Sequence, residues 1–406
     1  MKQQRISSNP AEQPNRLPII AFAPHPWKES QWMNRQHLLS RLALRGWPVI
    51  YSTGALDVWH RNSNKWREAD WLGRIEKTDG VLLDYPGRWI PRWQRSNFLD
   101  HLALCYHARR LKRAAGISRG HDFITFLFHP VFWPYVVHLN PPYVIFHVYD
   151  TYSKMEHWTP ALEIMQTRLI ERADLLTAAT EGMARDLPGP SPSKAKILYN
   201  AADPALFLKA YDASCPSDLA SIPHPRIANI GVINRKIDLG LIAAIAKQQP
   251  DWHWILVGHL EKGELERDPE ARVTLAACQE MDNVHFLGEK SRLEIPAYLY
   301  HMDINTICYR IREGEWVVSG YPLKLHEYLT VGKPVIATPV EAIKNLFSHV
   351  VDIASTPEEW ITAIKRALNS GGIGTVAERL ATAMENTWDR RVDTLENWMF
   401  KMLESY

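Results

Sequence analysis

Cysteine, net charge and long apolar runs are all scarce in this sequence, and each scarcity excludes a class of protein. The four cysteines, at positions 105, 215, 278 and 308, are scattered and form no Cys-x-x-Cys pair. This pattern predicts free thiols in a reducing compartment, and neither a disulfide framework nor a zinc site. A net charge of +2 provides no overall field for nucleic acid, so we expect no nucleic-acid partner.

Membrane-spanning and secretion segments are also missing from the sequence. No stretch approaches the roughly 18 consecutive apolar residues of a membrane-spanning helix. Residues 1–16 lack the apolar segment of a signal peptide. They are polar throughout, and we expect them to be disordered. These absences predict a cytoplasmic protein.

What the sequence does contain is an ordinary globular composition, 46% hydrophobic and 23% charged, over 406 residues, enough for two domains. Short apolar strands alternate with helical segments on both sides of a turn-rich linker at 208–225. The pattern predicts an α/β fold with two Rossmann-like domains facing a central cleft, where ligands bind at the carboxyl ends of the strands. We assign 1–208 to an N-terminal domain, 209–375 to a C-terminal domain, and 376–406 to a terminal helix that crosses back onto the N-terminal domain.

The strongest functional signal is a short predicted helix followed by a strand. Pro322 suits a helix start, Gly332 suits a helix stop, and Val335–Ala337 reads as a buried strand. Lys324 lies in the first turn, where the helix dipole disfavours a cation unless an anion binds there. Glu327 follows on the same face. The pair indicates a diphosphate held by Lys324 and sugar hydroxyls held by Glu327; the alternative is an ordinary α/β unit with a surface lysine.

The stretch 322–338 reads Pro-x-Lys-x-x-Glu-Tyr-x-x-x-Gly-Lys-Pro-Val-Ile-Ala-Thr, and it resembles the donor-site motif of GT-B glycosyltransferases of the glycosyltransferase 4 family. Stretches 35–46, 199–207 and 230–258 extend the similarity over most of the chain. Bacterial teichuronic-acid and exopolysaccharide transferases are the most similar in form. The resemblance implies a nucleotide-sugar donor, here a UDP-sugar, and a saccharide or polyprenyl-linked glycan acceptor.

One position departs from this family. Its retaining members carry a glutamate eight residues before the position of Glu327, and this chain has Ser319 there. Glu313 and Glu315 stand nearby at a different spacing. The resemblance therefore does not carry a retaining mechanism over to this chain, and it leaves a non-catalytic GT-B partner subunit as an alternative.

The chain is also similar to the xanthan-type inverting glucuronosyltransferase, in which a strand ends in a catalytic aspartate. Here the strand Tyr143–Val148 runs into Asp150. Six further residues match positions around that enzyme's donor, the last of them a glutamine there: Gly288, Glu289, Tyr309, Leu323, Lys324 and Glu327. The resemblance implies that Asp150 is the catalytic base and that the other six surround the nucleotide-sugar.

Asp150 also has a chemical argument of its own. At the end of a buried strand, partial desolvation raises a carboxyl pKa and makes a better base for an acceptor hydroxyl. The alternative is an aspartate that caps the following turn. No Asp-x-Asp pair occurs in the chain, so we expect protein cations, and neither a metal ion nor a cofactor, to stabilise the leaving diphosphate.

Further candidates flank the predicted cleft. Gly231 and Arg235 follow the first strand of the second domain, where a basic residue after a glycine turn meets a diphosphate or remains a solvated loop charge. His129 and Trp133 follow the strand predicted at 123–128, and they either contact the acceptor or belong to a packed aromatic loop.

Residues 88–113 combine arginine with tryptophan and include seven basic residues and one acid, a net charge of +6. Such a stretch is typical of a surface that contacts anionic lipid, and equally of a solvated helix face. We expect peripheral contact with the inner face of the plasma membrane.

A nucleotide-sugar epimerase on the same fold is a remaining alternative, although we identify no acid/base set for it.

Overall fold

The computed structural model describes residues 16–28, 32–155, 157–189, 193–312 and 315–405. Of the stretch 1–16 predicted to be disordered, all but Arg16 lies outside these residues, as does Glu313.

The first half of the chain builds one sheet of eight strands. Its strands are β1 Ile19–Phe22, β2 Val49–Ser52, β3 Gly73–Thr78, β4 Val81–Pro86, β5 Ile124–Leu127, β6 Tyr143–Val148, β7 Leu175–Ala178 and β8 Lys196–Ile197. They lie in the order β3-β4-β2-β1-β5-β6-β7-β8, and every pair is parallel except β3 with β4. The five strands β1, β2, β5, β6 and β7 are buried at every residue, as expected for a parallel sheet covered on both faces.

Helices cover both faces of this sheet. They are α1 Asn34–Leu44, α2 Asn64–Glu68, α3 Asn97–Ala114, α4 Trp133–Leu139, α5 Pro160–Arg172 and α6 Glu181–Arg185, and the short helices α7 Pro204–Phe207 and α8 Ser217–Ala220 follow before the second sheet. One hydrophobic core joins α3, α4 and α5 to the sheet, and a second joins α1 to its other face.

The second half builds a sheet of six parallel strands. Its strands are β9 Arg226–Ile230, β10 His253–Val257, β11 Val284–Gly288, β12 Ile304–Ile307, β13 Val335–Ala337 and β14 Asp352–Ile353. They lie in the order β11-β10-β9-β12-β13-β14. The helices of this half are α9 Leu239–Gln248, α10 Lys262–Arg267, α11 Pro269–Gln279, α12 Ile295–Tyr300, α13 Lys324–Thr330, α14 Glu341–Phe347, α15 Pro357–Ser370, α16 Val376–Glu385 and α17 Trp388–Glu404. The two parallel sheets are the two-domain α/β fold that the sequence predicts.

Strand β3 is absent from the sequence prediction. It reads Gly-Arg-Ile-Glu-Lys-Thr and contains no buried residue, because it pairs antiparallel at the edge of the sheet. A mostly polar edge strand has no apolar run, and hence no signal of the kind that predicts buried strands.

The prediction of a single helix over 376–406 is wrong, because the structure has two helices there. Helix α16 packs on α13 in the second half, whereas α17 packs on α1 in the first. Between them the chain pairs with Ala202, which accepts a hydrogen bond from the N–H of Trp388. The side chain of Thr387 caps α17 by accepting a hydrogen bond from the N–H of Arg390. The break lies where the chain crosses from one domain to the other.

Helix α17 is held on the first domain by polar and aromatic contacts. The Trp388 ring stacks on His37 with 4.7 Å between ring centroids. Glu396 accepts a hydrogen bond of 2.8 Å from the Trp47 indole and pairs with Arg45 at 3.2 Å. The terminal helix therefore belongs to the core of the first domain. Among the described helices, none combines the length and apolarity needed to cross a bilayer.

Candidate active site

A cavity of about 400 Å³ lies between the carboxyl ends of the two sheets. Its wall from the first domain includes Asn34, Asp150 and Asn200. The wall from the second domain includes the sequence-predicted residues Gly231, Glu289, Tyr309, Leu323, Lys324 and Glu327. The cleft that the topology predicted thus brings together candidates that are far apart in sequence.

Two glycine turns form part of the second-domain wall. Gly231 follows β9 with φ +127°, and Gly258 follows β10 with φ +149°, both in the region that favours glycine. A Cβ on Gly258 would lie 2.0 Å from the carbonyl oxygen of Gly231. The two turns can therefore pack backbone against backbone only without a side chain at position 258, which leaves main-chain groups next to the cavity.

Lys324 begins α13 and reaches back to the end of β9. Its Nζ donates to Oδ1 of Asn229 and to the carbonyl oxygen of Ile230, both at 3.1 Å. Burial lowers the pKa of Lys324 to about 7, and the nearby charge of Lys236 acts in the same direction. Because this ammonium group is poorly solvated, an anion that enters the cavity stabilises its charged form.

Two lysines approach the ring of Tyr309. Its ring is 5.0 Å from Nζ of Lys324 and 5.7 Å from Nζ of Lys236, within the range of cation–π contact. Burial raises the pKa of Tyr309, so its hydroxyl stays protonated. Burial lowers the pKa of Lys236, whereas the carboxylate of Asp150 acts to raise it. Two lysines thus lie close to one aromatic ring on the second-domain wall.

Glu327 and Lys324 share the cleft-facing side of α13. Burial raises the pKa of Glu327 to about 7, and the charges of Arg292 and Lys324 act to lower it. Near neutral pH the Glu327 carboxyl can therefore either donate or accept a hydrogen bond to a hydroxyl group.

Asp150 stands two residues beyond β6 on the first-domain wall. Burial raises its pKa to about 6, and a hydrogen bond from the N–H of Thr151 to Oδ1, at 2.9 Å, acts to lower it. The charge of Lys236 also acts to lower the pKa. The hydrogen bond from Thr151 comes from the next residue and not from the second or third N–H of a turn, as a capping bond would, and Asp150 also lines the cleft.

Leu323 and Glu289 line the cavity for different structural reasons. Leu323 immediately precedes α13 and packs against the core of the first domain, so it joins the two halves beside the cleft. Glu289 directly follows β11 and is exposed at the rim.

Arg235 does not line the cavity. Its guanidinium pairs with Glu264 at 3.0 Å, and the next residue, Lys236, faces the cleft instead. The sequence analysis named Arg235 as the candidate, because spacing along the chain does not show which of two neighbouring basic residues points inward. Arg292 was missed altogether; it lines the rim with its guanidinium 5.4 Å from the centre of the Trp32 ring. Its position three residues after the candidate Glu289 is the feature of the sequence that could have identified it.

His129 and Trp133 do not line the cavity either. Nδ1 of His129 accepts a hydrogen bond from the N–H of Val131 at 3.1 Å, and its ring packs on Tyr152. Trp133 packs against the core beneath α4. These contacts match the packed aromatic loop that was the alternative reading.

Ser319 turns away from the cavity toward the first domain. It is 4% exposed, and its Oγ donates to Oδ2 of Asp186 at 3.1 Å. Its carbonyl oxygen accepts from Oγ1 of Thr180 at 2.8 Å. Glu315 does not line the cavity. In this chain the position of the family glutamate is therefore part of an interdomain contact.

A second interdomain contact lies next to Ser319. The Arg185 guanidinium donates to both carboxylate oxygens of Glu341, at 3.1 and 2.8 Å. Bidentate pairs of this kind fix orientation as well as distance. Together with the Ser319 contacts, this pair holds the two walls of the cleft in one arrangement.

Comparisons with known proteins agree with this architecture. Residues 225–370 match the family model described as Glycosyl transferases group 1. A protein of Bacillus subtilis (strain 168) named as the teichuronic acid biosynthesis glycosyltransferase TuaH is 25% identical over 251 residues, which are 59% of this chain and 58% of that protein. The alignment thus leaves more than a third of the Bacillus protein unmatched.

Solved structures match the chain over nearly its whole length. Sucrose-phosphate synthase from Thermosynechococcus elongatus has a TM-score of 0.69 at 15% identity, over 96% of this chain and 100% of that one. Anabaena HepE in complex with UDP and glucose has a TM-score of 0.67 at 14% identity, over 96% and 100% of the two chains. Two sheets facing one cleft, with these likenesses, define the GT-B fold. More particularly, residues 225–370 in its second half are similar to the Glycosyl transferases group 1 family.

Proposed function

We propose that the protein is a glycosyltransferase that moves a sugar from a UDP-sugar to a hydroxyl group of a saccharide or polyprenyl-linked glycan acceptor. One observation carries the proposal: two partly desolvated lysines on the second-domain wall face a carboxylate of raised pKa on the first-domain wall. This is the arrangement that transfer from a diphosphate leaving group to a hydroxyl nucleophile requires.

Lys324 and Lys236 hold the diphosphate of the donor. Both ammonium groups lie near the ring of Tyr309, and the diphosphate supplies a negative counter-charge for both. As the bond between the anomeric carbon and the diphosphate breaks, negative charge grows on the leaving oxygen, and the two cations stabilise it. In this proposal the protein's own cations stabilise the leaving group, and no metal ion is required.

Asp150 acts as the base in an inverting transfer. Its carboxylate takes the proton of the acceptor hydroxyl while the acceptor oxygen bonds to the anomeric carbon and UDP departs with the bonding electrons. A pKa of about 6 leaves Asp150 largely ionised at neutral pH, yet basic enough for this step.

The other cleft residues recognise the donor. Glu327 hydrogen-bonds to a sugar or ribose hydroxyl, and it can do so as donor or acceptor. Glu289, Tyr309 and Leu323 line the nucleotide part of the cavity. The UDP and glucose in the HepE structure support a UDP-sugar as the donor.

The acceptor belongs to cell-surface or exopolysaccharide synthesis, and the protein meets it at an anionic membrane surface. The likeness to the Bacillus teichuronic acid protein supports this role. Support for the surface comes from the basic-aromatic patch, defined as residues 88–113. Its exposed large apolar side chains are Trp89, Trp93, Phe98, Leu99, Leu102 and Tyr106. Basic side chains beside exposed aromatic rings suit the headgroup region of an anionic bilayer.

The test is UDP release from a panel of UDP-sugars by the purified chain, with and without saccharide acceptors. Thermal shift first identifies the donor, because a bound ligand stabilises the folded state by mass action. We expect acceptor-dependent UDP release that Lys324→Ala abolishes. UDP binding without turnover on any acceptor would favour the partner-subunit alternative. A stereochemically altered UDP-sugar without UDP release would favour the epimerase.

A further inference from the structure

Away from the cleft, three metal-binding side chains meet between α3 and α4. His101 and Cys105 are one helical turn apart on α3, and His138 approaches them from α4. One imidazole nitrogen from each histidine and the Cys105 sulfur all lie within 4.8 Å of one another. None of the three lines the cleft.

These side chains form a directed chain of hydrogen bonds. Nδ1 of His138 is 2.7 Å from the carbonyl oxygen of Pro134, which can only accept, so this nitrogen carries the proton. In the neutral ring the lone pair is then on Nε2 of His138, which lies 3.0 Å from Nδ1 of His101. Nε2 of His101 in turn lies 3.4 Å from the Cys105 sulfur. A backbone carbonyl that orients a histidine in this way is a common partner of metal-binding histidines.

We propose that His101, Cys105 and His138 bind one zinc ion, with a fourth position open to water. Zinc binds imidazole nitrogen at about 2.1 Å and thiolate sulfur at about 2.3 Å, so neighbouring ligands in a tetrahedral site stand about 3.5 Å apart. One nitrogen from each imidazole and the Cys105 sulfur already lie within 4.8 Å of one another, so side-chain rotations can bring the three ligand atoms to that spacing. Three protein ligands and an open position form a familiar type of zinc site.

The ligand set selects the class of metal. One thiol and two imidazoles without a carboxylate suit zinc and other borderline ions, and not magnesium or calcium. On binding, the Cys105 thiol loses one proton and the thiolate takes its place as a ligand. The sequence prediction excluded zinc because there is no Cys-x-x-Cys pair. Two of the ligands follow helical spacing instead, and His138 comes 37 residues after His101, from another helix.

The zinc would join α3 to α4 next to the exposed apolar surface. Leu102 and Tyr106 on α3 and Val137 on α4 are all exposed beside the three ligands. A metal bridge between the two helices fixes the relative position of these side chains. It does so independently of the donor cleft.

The experiment titrates zinc into the metal-stripped full-length chain, in a buffer with a non-chelating reductant and a competing chromophoric chelator. We expect one tightly bound zinc per chain. Cys105→Ser and His138→Gln should each weaken binding by about 100-fold or more, since even residues behind the ligands alter affinity by about 10- to 100-fold. Cys215→Ser and His121→Gln are matched controls elsewhere in the fold, and both should bind zinc as tightly as the wild type.

Cobalt provides a second measurement, made on the unmodified chain. The cobalt-loaded protein should show a thiolate-to-metal charge-transfer band, and an equimolar amount of zinc should remove it. Absence of the band, or zinc binding that survives both Cys105→Ser and His138→Gln, would overturn the proposal. UDP binding by the zinc-free chain, measured in parallel, separates this result from any failure of the proposed transferase function.

Discussion

Asp150 and Lys236 face each other across the cleft from different domains, and each shifts the pKa of the other. The Lys236 charge opposes the rise that burial causes in the pKa of Asp150, and the Asp150 charge opposes the fall that burial causes in the pKa of Lys236. The basicity of a first-domain residue thus depends on a second-domain cation. The placement of the two domains is therefore part of what sets the pKa of Asp150.

The pH dependence of kcat/KM should report Asp150 on its acidic side and Lys324 on its basic side. In the free enzyme Asp150 loses its proton as the pH rises through about 6, so activity should rise there. Lys324 loses its charge as the pH rises through about 7, so donor capture should weaken above that pH. Asp150→Asn should lower kcat by about 100- to 10,000-fold and leave UDP affinity nearly unchanged. Full transfer by this variant would eliminate Asp150 as the base.

Lys236 and Arg235 form a matched pair of neighbouring cations. Lys236→Ala should weaken UDP binding by roughly 10-fold or more, because a charge-assisted hydrogen bond is worth about 1.5–3 kcal/mol. Arg235→Ala should have little effect, since its guanidinium engages Glu264 outside the cavity. Isothermal titration with UDP measures both. In Lys236→Ala the acidic limb of the pH profile should also move to higher pH, because Asp150 loses the neighbouring charge that lowers its pKa.

Equal losses of UDP affinity in the two variants would contradict this assignment. They would mean that general electrostatic attraction, and not the direction of the Lys236 side chain, holds the diphosphate.

Placing the glutamate of the similar transferases at position 319 should lower the stability of the protein and should not raise its transfer activity. Ser319 is buried and its Oγ lies 3.1 Å from Asp186, so Ser319→Glu would bury a second carboxylate beside the first. A Cβ on the neighbouring Gly182 would already lie 3.0 Å from the Ser319 Cβ, so the site has no spare room. We expect a lower Tm and no gain in transfer.

Ser319→Ala is the control for that variant. It removes one hydrogen bond, worth about 1 kcal/mol, and adds no charge. A Ser319→Glu protein with wild-type Tm and raised activity would show that the position can still act in the cleft.

The basic-aromatic patch should bind anionic vesicles. Cosedimentation with phosphatidylglycerol vesicles should exceed that with phosphatidylcholine vesicles and should fall as salt increases. The double variant Trp93→Ser and Phe98→Ser should bind less, because these side chains are 43% and 70% exposed. Val273→Ser, a change at a 65% exposed apolar residue of the second domain, serves as the control. Equal binding by all three proteins would contradict a membrane role for the patch.

Much of the fold could be predicted because its signals are local. The strands β6 and β13 have the predicted bounds, since each is a short apolar run that directly follows a proline. The motif around Lys324 and Glu327 is likewise contained in one helix. The edge strand β3 escaped prediction because it has no apolar run. The break before α17 escaped prediction because its pairing partner, Ala202, is distant in the sequence.

The sequence alone determined the fold class, the second-domain motif and the choice of Asp150 as a candidate base. Apolar periodicity and the start and stop signals of helices depend only on neighbouring residues. Tertiary structure decided which candidates meet. It turned Lys236 into the cleft and Arg235 out of it, and it set Ser319 against Asp186. It also brought His138 to His101 and Cys105. Each of these outcomes depends on how separate elements pack together, and the direction of a side chain across such a contact is not encoded in the spacing along the chain.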